Sequence, residues 1–182
     1  MLLLVVILAS GPTDTSQQVP GDGPSMQWLA SLVGVWDTTD TYYPVTGSPI
    51  VENAVRTCEF VMRETYLQCE TVVTRPAGGG RTYRFLINHN PDFSRFEMVS
   101  IWSNVRHKLV QALVPDDERR RWRISNLEVI GLREQSAEQH SELVVESSGR
   151  ILWTGWRVKD GEDPAAAKPS FVESWTRRTV QQ

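Results

Sequence analysis

At 182 residues, with 19 basic against 22 acidic side chains and a formal net charge of −3, the chain is long enough for one sizeable core. It is too evenly charged to create a global field that would hold nucleic acid or an anionic membrane. Its seven Trp, each large and carrying an N–H, cannot all sit in a tight core without polar neighbours, so some are expected to line a cavity or its rim.

The chain opens on an apolar run, Leu2 to Ala9, far shorter than the roughly 20 residues a bilayer-spanning helix needs. Small residues at Ala9, Ser10 and Gly11 follow, as in a secretory signal peptide cleaved near Gly11, although no Lys or Arg precedes the run. Residues 1–11 are therefore read as a signal peptide of a periplasmic or extracellular protein whose mature form has no transmembrane segment. Residues 12–24, rich in Gly, Pro, Thr, Ser, Gln and Asp, read as a flexible leader, and residues 25–182 as one folded domain. Ser25 is placed to cap a short helix in which Trp28, Leu29 and Leu32 recur at helical spacing until Gly34. Such a helix could plug one end of a barrel.

Strand-like runs follow, separated by turn signals. They are Val35 to Tyr43, Val51 to Met62, Thr65 to Arg75, Thr82 to Asn88, Arg95 to Ser103, His107 to Val114, Arg121 to Ile130, Glu142 to Ser147, Arg150 to Lys159 and Ser170 to Val180. In the seventh run Trp122 and Ile124 share one parity and Leu127 and Val129 the other, so a bulge near Ser125-Asn126 is expected. Gly78-Gly79-Gly80 reads as an exposed loop. About ten short strands without a long amphipathic helix predict an all-β fold, a single antiparallel up-and-down barrel.

Cys58 and Cys69 give the sharpest local signal. A hairpin centred between Arg63 and Glu64 sets them directly opposite each other, which predicts a disulfide in an exported chain; in a reducing compartment they would be two buried thiols. The three histidines, His89, His107 and His140, form no metal-binding spacing, and no Ser lies in a Gly-x-Ser-x-Gly elbow, so no catalytic residue, metal or cofactor is assigned. Arg119-Arg120-Arg121-Trp122-Arg123 reads as a solvated strand face with one inward Trp, its charge offset by Asp116-Asp117-Glu118.

The Leu32-Val33-Gly34-Val35-Trp36 start, the short helix before it, the meander and the Arg177-Arg178 pair on the last strand together resemble the calycins, the superfamily of lipocalins and fatty-acid-binding proteins. More closely, they resemble a bacterial family of lipocalin-like proteins with a Leu-x-Gly-x-Trp start. The resemblance implies a barrel with a ligand cavity in which Trp36, next to Gly34, packs against an Arg of the last strand. Alternation puts Phe171, Glu173, Trp175 and Arg177 on one face, and since that face bears the aromatic residues Arg177 is the expected partner.

Trp102, Trp153 and Trp175 alternate with polar neighbours as residues of a wet cavity do, and Glu173 is a candidate interior carboxylate that orients a ligand head or pairs with an inward Arg. The expected function is binding of a small, mostly apolar or amphipathic molecule. Two other classes stay open, a barrel enzyme of isomerase or cyclase type and a filled barrel that meets other proteins through its loops.

Overall fold

In the computed structural model the alternating runs form ten antiparallel strands, each paired with its neighbours in sequence and the last with the first, so that the sheet closes as one barrel. The model describes residues 25–74, 80–116, 118–130, 138–158 and 167–179. The apolar start, the leader, Gly78-Gly79 and the loop from Asp160 lie outside them. The strands are β1 (Gly34–Tyr42), β2 (Ile50–Val61), β3 (Tyr66–Thr74), β4 (Thr82–Asn90), β5 (Arg95–Trp102), β6 (Lys108–Pro115), β7 (Arg121–Ile130), β8 (Glu138–Val145), β9 (Ile151–Val158) and β10 (Pro169–Arg177). No helix among the described residues is long and apolar enough to cross a membrane.

Two details differ from the sequence reading. β8 begins at Glu138 rather than Glu142, because its ladder with β9 runs out to Val158 and takes in the polar stretch Glu138-Gln139-His140-Ser141, which carries no apolar alternation. The register of β6 on β7 shifts between the pairs Val110–Glu128 and Gln111–Asn126, so Leu127 is the extra residue of the bulge. Trp122, Ile124 and Asn126 thereby keep one parity before the shift.

One half of the interior is closed. Ser25 caps a 3₁₀ helix, Met26–Leu32, by accepting from the Gln27 N–H, and the helix inserts Leu29 and Leu32, both fully buried, into the barrel end. Trp36 donates its indole N–H to the Leu32 carbonyl at 2.9 Å, which ties helix to sheet. Trp28 packs on Phe96 and lies under the Arg119 guanidinium at 3.8 Å. The rest of that basic run is spent locally: Trp122 points inward against Phe96, Arg120 donates to the Val145 carbonyl and Arg121 pairs with Glu142.

The hairpin of β2 and β3 carries the disulfide between Cys58 and Cys69. Both residues lie in the core cluster under the helix, and the loop they close is short, with a sequence separation of 11. Loop-closure entropy for so short a loop corresponds to about 3 kcal/mol. Reduction should therefore lower the unfolding free energy measured in urea by about that amount, and an unfolding free energy unchanged by reductant would show that the bridge adds nothing to stability.

The first and last strands meet where the helix enters. Trp36 lies opposite Arg177 in the β1–β10 register, and the Arg177 guanidinium sits 4.3 Å from the indole centroid. It also donates to the carbonyls of Val33, at 3.0 Å, and Ser31, at 3.5 Å, which lie at the open end of the helix. Gly34, at φ +138°, leaves the room this requires, since a Cβ there would stand 2.4 Å from Arg177 Nη1. Arg178 turns to the other face and pairs with the exposed Asp37. Arg177→Ala should cost about 1–3 kcal/mol, with Arg177→Lys recovering only part, while Arg178→Ala has the smaller effect. A double-mutant cycle with Trp36→Phe checks this, and equal coupling for both arginines would remove the assigned role.

Candidate functional site

The other half of the interior is open. A cavity of about 350 Å³ lies at the end away from the helix, lined by residues from the ends of β1, β5 and β9 and the beginnings of β4, β6, β8 and β10. Its volume is in the lower part of the range of small-molecule sites. Two walls differ in chemistry. Phe85, Trp153 and Phe171 form one wall, with Phe85 and Phe171 each 5.8 Å from Trp153 and nearly perpendicular to it. The buried polar side chains Ser100, Gln111 and Ser141, on β5, β6 and β8, form the other. Gln111 accepts from Ser100 at 3.4 Å and donates to Asn126 at 3.0 Å, the residue kept inward before the β7 bulge. At the rim Trp102 packs against His107, ring centroids 5.6 Å apart.

A connected set of charged and phenolic groups adjoins the cavity, and four of them, Tyr42, Arg81, Tyr83 and Glu173, line it. Arg56, fully buried on β2, donates to Thr71 at 2.7 Å, to Tyr83 and to Glu173, with which it forms an ion pair. Its guanidinium lies 4.0 Å from the ring centroid of Trp175. Burial opposes the Arg56 charge, but Glu173, Tyr83 and Asp40 together hold its pKa above the usual value. Arg81 donates to Glu52 and to the Tyr42 hydroxyl, each at 2.6 Å, and Tyr42 in turn donates to Asp40 at 3.4 Å. The Tyr83 hydroxyl stands 3.2 Å from both Asp40 Oδ2 and Glu173 Oε2.

Within this set three carboxyl groups face two guanidiniums, and Tyr83 has one proton to offer two carboxylates. Asp40 is the member left without a cation of its own, and its Oδ1 is buried with no hydrogen-bond partner. Burial, followed by the adjacent Glu173 charge, pushes its carboxyl up to about 7 against the pull of Arg56, Tyr83 and Arg81. When Asp40 keeps its proton, Tyr83 can give its own to Glu173, and the carboxylates no longer compete. Burial also raises Tyr42 and Tyr83, which stay neutral phenols.

Of the residues singled out in the sequence, the structure brings Trp102, Trp153 and Glu173 together at the cavity. Trp175 is fully buried beside Trp36, Phe85 and Trp153 and is not among the lining residues. Glu173 faces Arg56 and Tyr83 as well as the cavity, so its carboxylate is already engaged. Asp40, Arg56, Tyr83, Tyr42, Arg81 and Glu52 were not read as interior groups. The signal for five of them was parity: Cys58 inward puts Glu52 and Arg56 inward on β2, Trp36 inward puts Asp40 and Tyr42 inward on β1, and Phe85 and Ile87 inward put Tyr83 inward on β4.

No protein-family model matches the chain, and no curated protein matches it either.

Proposed function

We propose that the barrel is a binding module of calycin-like type that holds a small, mostly apolar molecule in its open half. The observation that carries this reading is the division of the interior, packed to closure under the helix and left as an aromatic-lined cavity at the far end. A filled barrel would not leave such a volume, and closely packed interiors rarely do without a use for it. The disulfide is compatible with a further part of the reading, that the protein is exported, and residues 1–11, which carry the apolar run, are the segment we propose is removed in the process. Exported material should then begin within a few residues of Pro12.

Native mass spectrometry of the purified protein tests the binding reading directly through a retained small-molecule mass. A saturable change in Trp fluorescence on titration with lipids and other apolar compounds is the second test. Trp102→Phe and Trp153→Phe should each reduce that change, whereas Trp28→Phe, at the plugged end, should leave it intact. A flat titration across the whole panel, with no retained mass, would defeat the proposal. A barrel enzyme is a second reading, favoured by the Asp40–Tyr83–Glu173 arrangement beside the cavity; turnover of a retained ligand that is lost in Tyr83→Phe would establish it.

A further inference from the structure

The geometry points to a flat aromatic ring system with polar groups on its edge, rather than an alkyl chain, as the cavity's ligand. This rests on the binding reading above and narrows it. Six aromatic side chains line the cavity, Tyr42, Tyr83, Phe85, Trp102, Trp153 and Phe171, against two aliphatic ones, Val105 and Leu109. Ring pairs attract through edge-to-face and offset stacking beyond the area they bury, so walls of rings discriminate in favour of another ring, whereas an alkyl chain gains only its area. The rings are held as a set: Trp153 is braced nearly at right angles by Phe85 on one contact and Phe171 on another.

The polar wall argues the same way. Ser100, Gln111 and Ser141 are buried and come from β5, β6 and β8, with β7 between the last two, and Ser141 reaches the aromatic wall at Gly155, which pairs with it on one side and with Phe171 on the other. Ser100 and Gln111 bond to each other and Gln111 to Asn126, and an alkyl chain lying on this wall would cover the hydrogen-bonding capacity that remains to the three side chains and return nothing to it. A ring carrying a hydroxyl or a heteroatom on its edge can add a hydrogen bond there while its faces meet the aromatic wall.

Gly155 sets the space available. A Cβ at that position would stand 2.0 Å from Phe171 Cε1, so the Phe171 ring lies where a side chain on β9 would otherwise be. The missing side chain lets the ring lie back against the wall. Gly155→Ala should drive it forward into the cavity.

Isothermal titration calorimetry of the full chain with matched probes tests the inference: 2-naphthol, its saturated counterpart decahydro-2-naphthol, naphthalene and decanoate. We expect 2-naphthol to bind about tenfold more tightly than decahydro-2-naphthol, equivalent to 1.4 kcal/mol. Gly155→Ala should weaken 2-naphthol by about tenfold, and Gln111→Leu should weaken 2-naphthol while leaving naphthalene unchanged, a contrast that does not depend on how the glycine variant folds. Equal or tighter binding of decahydro-2-naphthol or decanoate overturns the aromatic assignment and leaves the binding reading standing. Failure of all four probes overturns the assignment as well, and a retained mass in native spectrometry then decides the binding reading separately.

Discussion

Arg56→Met should be among the most destabilising single substitutions in this protein, with an expected loss of about 3–5 kcal/mol. The side chain is fully buried and all three guanidinium nitrogens donate, to Thr71, Glu173 and Tyr83. Methionine fills much of the stem's volume but leaves the Glu173 carboxylate buried without its cation, and that uncompensated charge, more than the lost attraction, sets the cost. It also strips the cation from the face of Trp175. Since a typical domain is stable by only 5–15 kcal/mol, the variant should be partly unfolded under mild denaturant. Arg56→Met combined with Glu173→Leu should recover most of the loss, because both charges then leave together. Chemical denaturation of the two single variants and the double decides the matter. Additive losses would mean that the pair is not coupled.

Stability should also depend on pH through Asp40, in the direction opposite to an ordinary surface carboxylate. Its carboxyl is pushed up to about 7 in the folded protein, while in the unfolded chain it titrates near 3.9. Between those values the unfolded state releases the proton and the folded state keeps it, so stability falls as pH rises from about 4 to about 7 and is constant with respect to this group outside that window. About three units at 1.36 kcal/mol each give a contribution on the order of 4 kcal/mol. Asp37, Glu97 and Glu146 act with the other sign, their carboxyls held below the usual range by Arg178, Arg95 and Arg150, but these pairs are near the surface and screened. The clean measurement is the difference in unfolding free energy between wild type and Asp40→Asn at a series of pH values. Wild type should lose ground to the variant from pH 4 to pH 8, and a difference that does not change with pH would remove Asp40 as the proton-holding group.

How much of this was legible before the structure depends on which residues carried two signals. The Cys58–Cys69 opposition followed from hairpin symmetry alone, because cross-strand pairing leaves no freedom once the turn is placed. The plug helix was visible in Trp28, Leu29 and Leu32, although its 3₁₀ geometry was not. The Trp36–Arg177 contact needed the parity of β10, which its aromatic residues supplied. The ion network was hidden for the opposite reason. Charged residues are rarely buried, so Asp40, between two threonines on β1, and Glu52 and Arg56, beside Val51 and Val55 on β2, look like a solvent face unless Cys58 and Trp36 are used to orient the strands. Tyr83 shares the inward parity of Phe85 and Ile87 on β4, while Arg81 precedes that strand, and what places both beside the other charged groups is the closure of the barrel.

That closure has a kinetic side. One edge of β1 is taken by β2, its neighbour in sequence, but the other waits for β10, and contacts such as Asp37 with Arg178 join residues 141 positions apart. Until the final strand docks, the growing sheet keeps two open edges of unpaired backbone, the kind of surface that recruits other chains. The Arg177 contacts with Val33 and Ser31, which help seat the helix, form only at that last step. Only this one of the ten strand pairings, β1 with β10, joins distant parts of the chain, the other nine linking neighbours in sequence, so closing the ring, and not zipping the hairpins, is the slow contact to make, and the docking of β10 decides when the cavity first exists.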